Sequence, residues 1–83
     1  MPGAIDHEGI VSLVELKIKK KGKVAYLRAK DRHQMQKLIA IGALPGTAIV
    51  LLQKFPSYVF ELGHSQFAVD KELAQAIFVK VSK

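Results

Sequence analysis

The chain has 83 residues, enough for one domain with a single core. Hydrophobic residues make up 49% and charged residues 24%, a globular balance that excludes a wholly disordered chain. Thirteen basic and seven acidic side chains leave a net charge of +6, and the absence of cysteine excludes disulfides, zinc-thiolate sites, iron–sulfur clusters and thiol catalysis while fitting a reducing compartment.

Residues 1–10 read as an N-terminal tail with no periodic pattern, and 11–83 as the folded domain. The tail carries Asp6 and Glu8 and no apolar core, so no secretory signal is expected. The longest apolar stretches, Ala48 to Leu52 and Leu38 to Pro45, fall far short of the ~18 residues of a membrane span.

Ser12-Leu13-Val14-Glu15 has capping-box spacing, which predicts one helical turn aiming Leu13 and Leu16 inward, ended by the lysine run and Gly22. Lys23 to Ala29 reads as a strand with Val24, Tyr26 and Leu27 as its apolar members. Asp31 then resembles a helix N-cap with Gln34 three residues on, and Met35, Leu38 and Ile39 fall on one helical face. Gly42 is placed to stop this helix, and Pro45-Gly46 to turn the chain.

From Thr47 the pattern is β. The unbroken apolar run Ala48 to Leu52 predicts a strand covered on both faces. Phe55-Pro56-Ser57 punctuates it, and Tyr58, Phe60 and Leu62 alternate with Val59 and Glu61. Gly63-His64-Ser65 predicts a hairpin turn, with Gln66 to Val69 returning; Asp70 caps a short helical turn. Ile77, Val79 and Val81 alternate with Phe78 and Lys80 in a last strand. The fold class is therefore mainly β: a small closed barrel of about five strands, with one inserted α-helix and a short helical turn.

Lys17, Lys19, Lys20, Lys21 and Lys23 crowd around Gly22. They read first as a solvated turn, and otherwise as an anion-binding patch with Lys19, Lys20, Lys21 and Lys23 as its members, open to phosphate, nucleic acid, anionic lipid or an acidic protein surface. The run has no interleaved aromatic or arginine residues, which single-strand binders use for stacking, so nucleic acid is not the expected partner.

The order of motifs resembles the ferrous iron transport protein A (FeoA) family. Ser12 to Lys17 is similar to that family's opening S-L-x-E-L. Gly22 and Val24 match the glycine and first-strand residue that follow. Met35 to Thr47 resembles its L-x-x-hydrophobic-G-x-x-P-G-T signature. Phe67-Ala68-Val69 and Leu73 to Val79 resemble its closing strand, short turn and last strand. The resemblance spans roughly Val11 to Val81. It departs at Lys17 to Gly22, where lysines replace a proline–glycine turn, and at Asp70-Lys71-Glu72, where members often carry arginine.

The resemblance implies a stand-alone, cytoplasmic, SH3-like barrel in bacteria. It implies a non-catalytic, accessory role in ferrous iron uptake, exerted on the cytoplasmic region of a membrane transporter with a GTPase domain. The same module also ends metal-dependent repressors, so a metal-responsive regulator domain is a further alternative. The matched positions Leu13, Leu16, Gly22, Leu38, Gly42, Pro45, Gly46, Thr47, Ala74, Ile77 and Val79 read as structural, with Leu38 and Leu44 filling the barrel mouth.

No catalytic residue, cofactor or metal ligand is expected. His7, His33 and His64 stand apart, without the spacing of a ligand pair, and no P-loop, G-x-S-x-G or carboxylate pair on a predicted rigid element is present. The partner-binding candidates are Phe55, Tyr58 and Val59 around Pro56. The competing expectation, which we favour because aromatics bury most of their area, is that Phe55 folds under the turn and Tyr58 packs inside.

Overall fold

The computed structural model describes residues 9–82. Six strands form one antiparallel sheet: β1 (Ile10–Ser12), β2 (Lys21–Leu27), β3 (Ala48–Gln53), β4 (Tyr58–Leu62), β5 (Ser65–Val69) and β6 (Ile77–Val81), in the order β1-β6-β2-β3-β4-β5. Helix α1 (Arg32–Ala40) lies between β2 and β3, and α2 (Lys71–Gln75) between β5 and β6. The sheet wraps one core, to which Val24, Ile49, Leu51, Phe60, Leu62, Ile77 and Val79 contribute from the strands and Leu13, Leu16, Leu38 and Ala74 from the helical turns. Register breaks at Val24/Tyr26 in β2 and Leu51/Gln53 in β3 are bulges, which add the bend such wrapping needs. No ladder among the described residues joins β5 back to β1, so the expected closed barrel is an unclosed one.

Both aspartates placed to cap a helix do so. The Asp31 side chain accepts from the Gln34 backbone N–H at 2.8 Å, and Gln34 Oε1 reaches back to accept from the Lys30 N–H at 2.9 Å, so two backbone donors at the start of α1 are satisfied. Asp70 caps α2 in the same way, accepting from the Leu73 N–H at 2.8 Å. Replacing Asp31 with alanine is expected to cost about 1 kcal/mol, read as a lower urea midpoint with unchanged slope. At the other end of α1, Ala43 N–H donates to the Leu38 carbonyl and Gly42 N–H to the Ile39 carbonyl, with Gly42 at φ 89°. That is a Schellman motif, and its apolar contact is made by the fully buried Leu38 and Ala43. Leu44 to Thr47 then makes a type II turn, closed by Thr47 N–H to the Leu44 carbonyl, with Gly46 at φ 93°.

Ser12 begins a 3-10 turn, Leu13–Glu15, but makes no side-chain cap; its hydroxyl donates instead to the Gln75 carbonyl at 3.1 Å. Leu13 and Leu16 are nonetheless buried as expected. Gly22 sits within β2 rather than in a loop. A Cβ there would lie 2.5 Å from Val79 Cγ1 and 2.7 Å from the Lys80 carbonyl oxygen, so only glycine lets β6 pass this closely.

Ile39 and Leu44 are half exposed, because the buried stripe of α1 runs through Gln34 and Leu38 and the type II turn faces outward. β3 is covered on one face only: Ile49 and Leu51 are buried, while Ala48 is exposed and Val50 and Leu52 are half-buried. Nothing in the sequence pattern marked β1, whose three residues are too few to show a period and are held by pairing Val11 with Val79.

Candidate interaction surface

The expected site residues fall in different places. Phe55 lies between β3 and β4 and is 85% exposed, so the expectation that it tucks under its turn is overturned. The turn leaves the sheet at Gln53, and Pro56 and Ser57 bring the chain back to β4 without returning the ring to the core. Tyr58 is half-buried and packs against the core, as expected, and Val59 is half-buried on the outer side of β4. Removing the ring in Phe55→Ala is expected to change stability by no more than about 0.5 kcal/mol, checked by thermal melting, because an exposed side chain has little folded-state packing to lose.

All five lysines of the run are exposed, but they do not form one patch. Lys17 and Lys20 rim an apolar groove of about 280 Å³ floored by Val11, Leu16 and Val81. Lys19 takes φ 72° and its N–H donates to the Leu51 carbonyl at 2.6 Å, pinning the loop to β3. Lys21 and Lys23 are strand residues. Between and beside them Gly22 and Val24 point inward, so both lysines point out from the sheet.

Lys80 and the Tyr26–Phe78 ring pair share this outer face and were missed by sequence reasoning. Period-2 counting from Val24 places Tyr26 inside; the bulge at Ala25 reverses its side, and Tyr26 stacks on Phe78 at 4.8 Å. Lys80 was legible as an outward residue of β6, but its neighbours are set by register, which the sequence does not print.

A polar cleft of about 170 Å³ lies between the starts of α1 and α2, lined by Lys30, Asp31, His33, Gln34, Asp70 and Glu72 among others. Its acidic side chains already have partners: Asp31 and Asp70 cap helices, and Glu72 pairs with Lys30 Nζ at 3.0 Å. His33 is here and His64 is in the β4–β5 turn; His7 lies outside the described residues. Among the described residues no three His, Asp or Glu side chains converge as ion ligands would.

The hydrogen bond to Glu72, and then its charge, raise the Lys30 ammonium above its ordinary value of 10.5. This contribution is fully present below the ordinary lysine value and is lost as pH rises through the raised one. The pair is exposed, so Glu72→Gln is expected to leave the urea midpoint at neutral pH essentially unchanged and to flatten only the alkaline end of its pH profile.

The FeoA domain model matches residues 11–81. No curated protein sequence matches significantly. Among solved structures, the crystal structure of an iron uptake regulatory protein (FeoA) is 29% identical, covering 88% of this chain and 97% of its own at a TM-score of 0.77. A FeoA-like protein from Clostridium acetobutylicum is 26% identical, covering 90% of each chain at 0.77. Zinc-complexed FeoA of Stenotrophomonas maltophilia, described as a prokaryotic SH3 domain protein, is 18% identical; it covers 86% of this chain and 94% of its own at 0.74, a likeness of fold.

Proposed function

The chain belongs to the FeoA domain family, and on that premise we propose that it is a non-catalytic, cytoplasmic accessory of bacterial ferrous iron uptake. It binds the cytoplasmic region of a ferrous iron transporter that carries a GTPase domain, and so shifts the transporter between conformational or nucleotide-linked states. The observation that carries this reading is the family match across residues 11–81 of 83. Its fold is SH3-like, and the side chains open to a partner lie on its exterior: Phe55 on the β3–β4 turn and the lysine and aromatic side chains of the sheet. A module of this kind acts through contact area, and its effect is limited to its differential affinity for the transporter's states.

The test is genetic and direct. Deleting the gene in its host is expected to reduce uptake of labelled ferrous iron under iron starvation, with recovery on supplying the chain in trans. Unchanged uptake in the deletion strain contradicts the reading.

A further inference from the structure

The outer faces of β2 and β6 bring together side chains that the sequence keeps more than fifty positions apart. Gly22, Val24, Ile77 and Val79 turn into the core, so Lys21, Lys23, Phe78 and Lys80 turn out. In the sheet register Lys23 stands directly opposite Lys80, with Ile10 beyond Lys80 on β1 and Ala48 beyond Lys23 on β3. The next outward-facing rung, past the inward Val24–Val79 pair, is Tyr26 opposite Phe78, their rings 4.8 Å apart and within 9° of parallel. Tyr26 remains 42% exposed. On the other side Lys21 lies level with Val50, and Glu61 of β4 follows one strand further on.

Two features of this face are unfavourable in the free chain. Lysines directly opposite each other repel, and cross-strand like charges weaken a sheet. Neither Lys23 nor Lys80 has a carboxylate within ion-pair distance among the described residues, where the one ion pair joins Lys30 to Glu72. The aromatic pair leaves apolar surface in water beside them. An acidic partner with an apolar side chain relieves both at once.

We propose that this face docks an acidic, extended protein segment carrying an aromatic or apolar residue. Its carboxylates lie over Lys23 and Lys80, and its apolar side chain lies against Tyr26 and Phe78. The inference rests on the function proposed above and names the chemistry of the transporter segment in contact. The observations favour protein over nucleic acid. Each ring of the stack already covers one face of the other, whereas single-strand binders offer ring faces to bases. The flanks Ile10, Ala48 and Val50 are apolar, so a protein segment laid over the lysine pair finds carbon surface on either side of its ion pairs.

The test is ¹⁵N NMR titration of the full chain at low salt with a capped Glu-Glu-Phe-Glu-Glu probe peptide. Shifts are expected at the amides of Lys21 to Tyr26 and Phe78 to Lys80. Affinity is expected to fall about tenfold in Lys23→Glu/Lys80→Glu and less than about twofold in Lys37→Glu/Lys71→Glu, which makes the same charge change elsewhere. Equal losses in the two double variants, or shifts on another face, overturn the proposal. So does tighter binding of a thymidine pentanucleotide at the same amides. Shifts at those amides caused by Asp6→Asn/Glu8→Gln alone would make the chain's own N-terminal segment the occupant, which also overturns it. Failure of the transporter region to bind, with the peptide behaving as expected, removes the functional reading and leaves this surface standing.

Discussion

Phe60→Ala is expected to cost about 3–5 kcal/mol, the largest loss from any single truncation in this chain. Phe60 is fully buried in β4, paired across the sheet with Leu51 on one side and Phe67 on the other, and its ring meets that of Phe67 at 6.0 Å. It joins the β3–β4–β5 half of the sheet to the core, so its removal leaves a cavity walled by strands that cannot collapse without breaking their ladders. Total stabilities of roughly 0.05–0.15 kcal/mol per residue leave a small domain little in reserve. The check is urea unfolding followed by circular dichroism. A midpoint close to wild type would mean that the centre of the core lies elsewhere.

Gly22→Val is the second large effect. The added Cβ meets Val79 Cγ1 at 2.5 Å, a contact a rotamer change could relieve, and the Lys80 carbonyl oxygen at 2.7 Å, which only the β6 backbone could relieve by moving away. That backbone is held by the β2–β6 register, in which Gly22 faces Val81 and Val24 faces Val79. Overpacking ordinarily costs about 1–3 kcal/mol, and a β-branched side chain forced against a strand backbone belongs at or above the top of that range. Gly46→Ala is the control. It has φ 93° and open space around it, so its cost is conformational, about 1–2 kcal/mol. A smaller loss at position 22 than at position 46 would show that the close passage of β6 is not what selects glycine there.

Local chemistry was legible at the aspartate caps and the positive-φ glycines, though not at Ser12, whose expected cap does not form. Asp31 and Asp70 cap because a short carboxylate reaches the backbone three residues on. Gly42 and Gly46 take positive φ where a helix and a turn require it. The alternation of β4 and β6 sorted Phe60, Leu62, Ile77 and Val79 into the core.

What was hidden is tertiary. The bulge at Ala25 turns Tyr26 outward against its apparent period, and nothing within β2 announces it. The uninterrupted hydrophobicity of Ala48 to Leu52 suggested a strand covered twice, yet no second layer lies over Val50 and Leu52, which remain half-buried. Phe55 violated the expectation that aromatics bury, because the turn carrying it stands off the sheet.

The candidate surface was legible only by half. The lysines of β2 announce a basic segment, but the residues that give it a shape, Phe78 and Lys80, come from the last strand and reach it through register. The same register explains why a run that looked like one patch divides: inward-facing Gly22 and Val24 fix Lys21 and Lys23 on the sheet face, while Lys17 and Lys20 rim a groove beside β1.

The most direct measurement is calorimetric titration of the full chain into the purified cytoplasmic region of a ferrous iron transporter, with its GTPase domain present. Saturable binding that weakens as salt is raised is the expected result, since a basic face meets an acidic segment. No heat and no co-migration on gel filtration at concentrations up to about 100 µM would place any affinity too low to support the proposed role, and would contradict it.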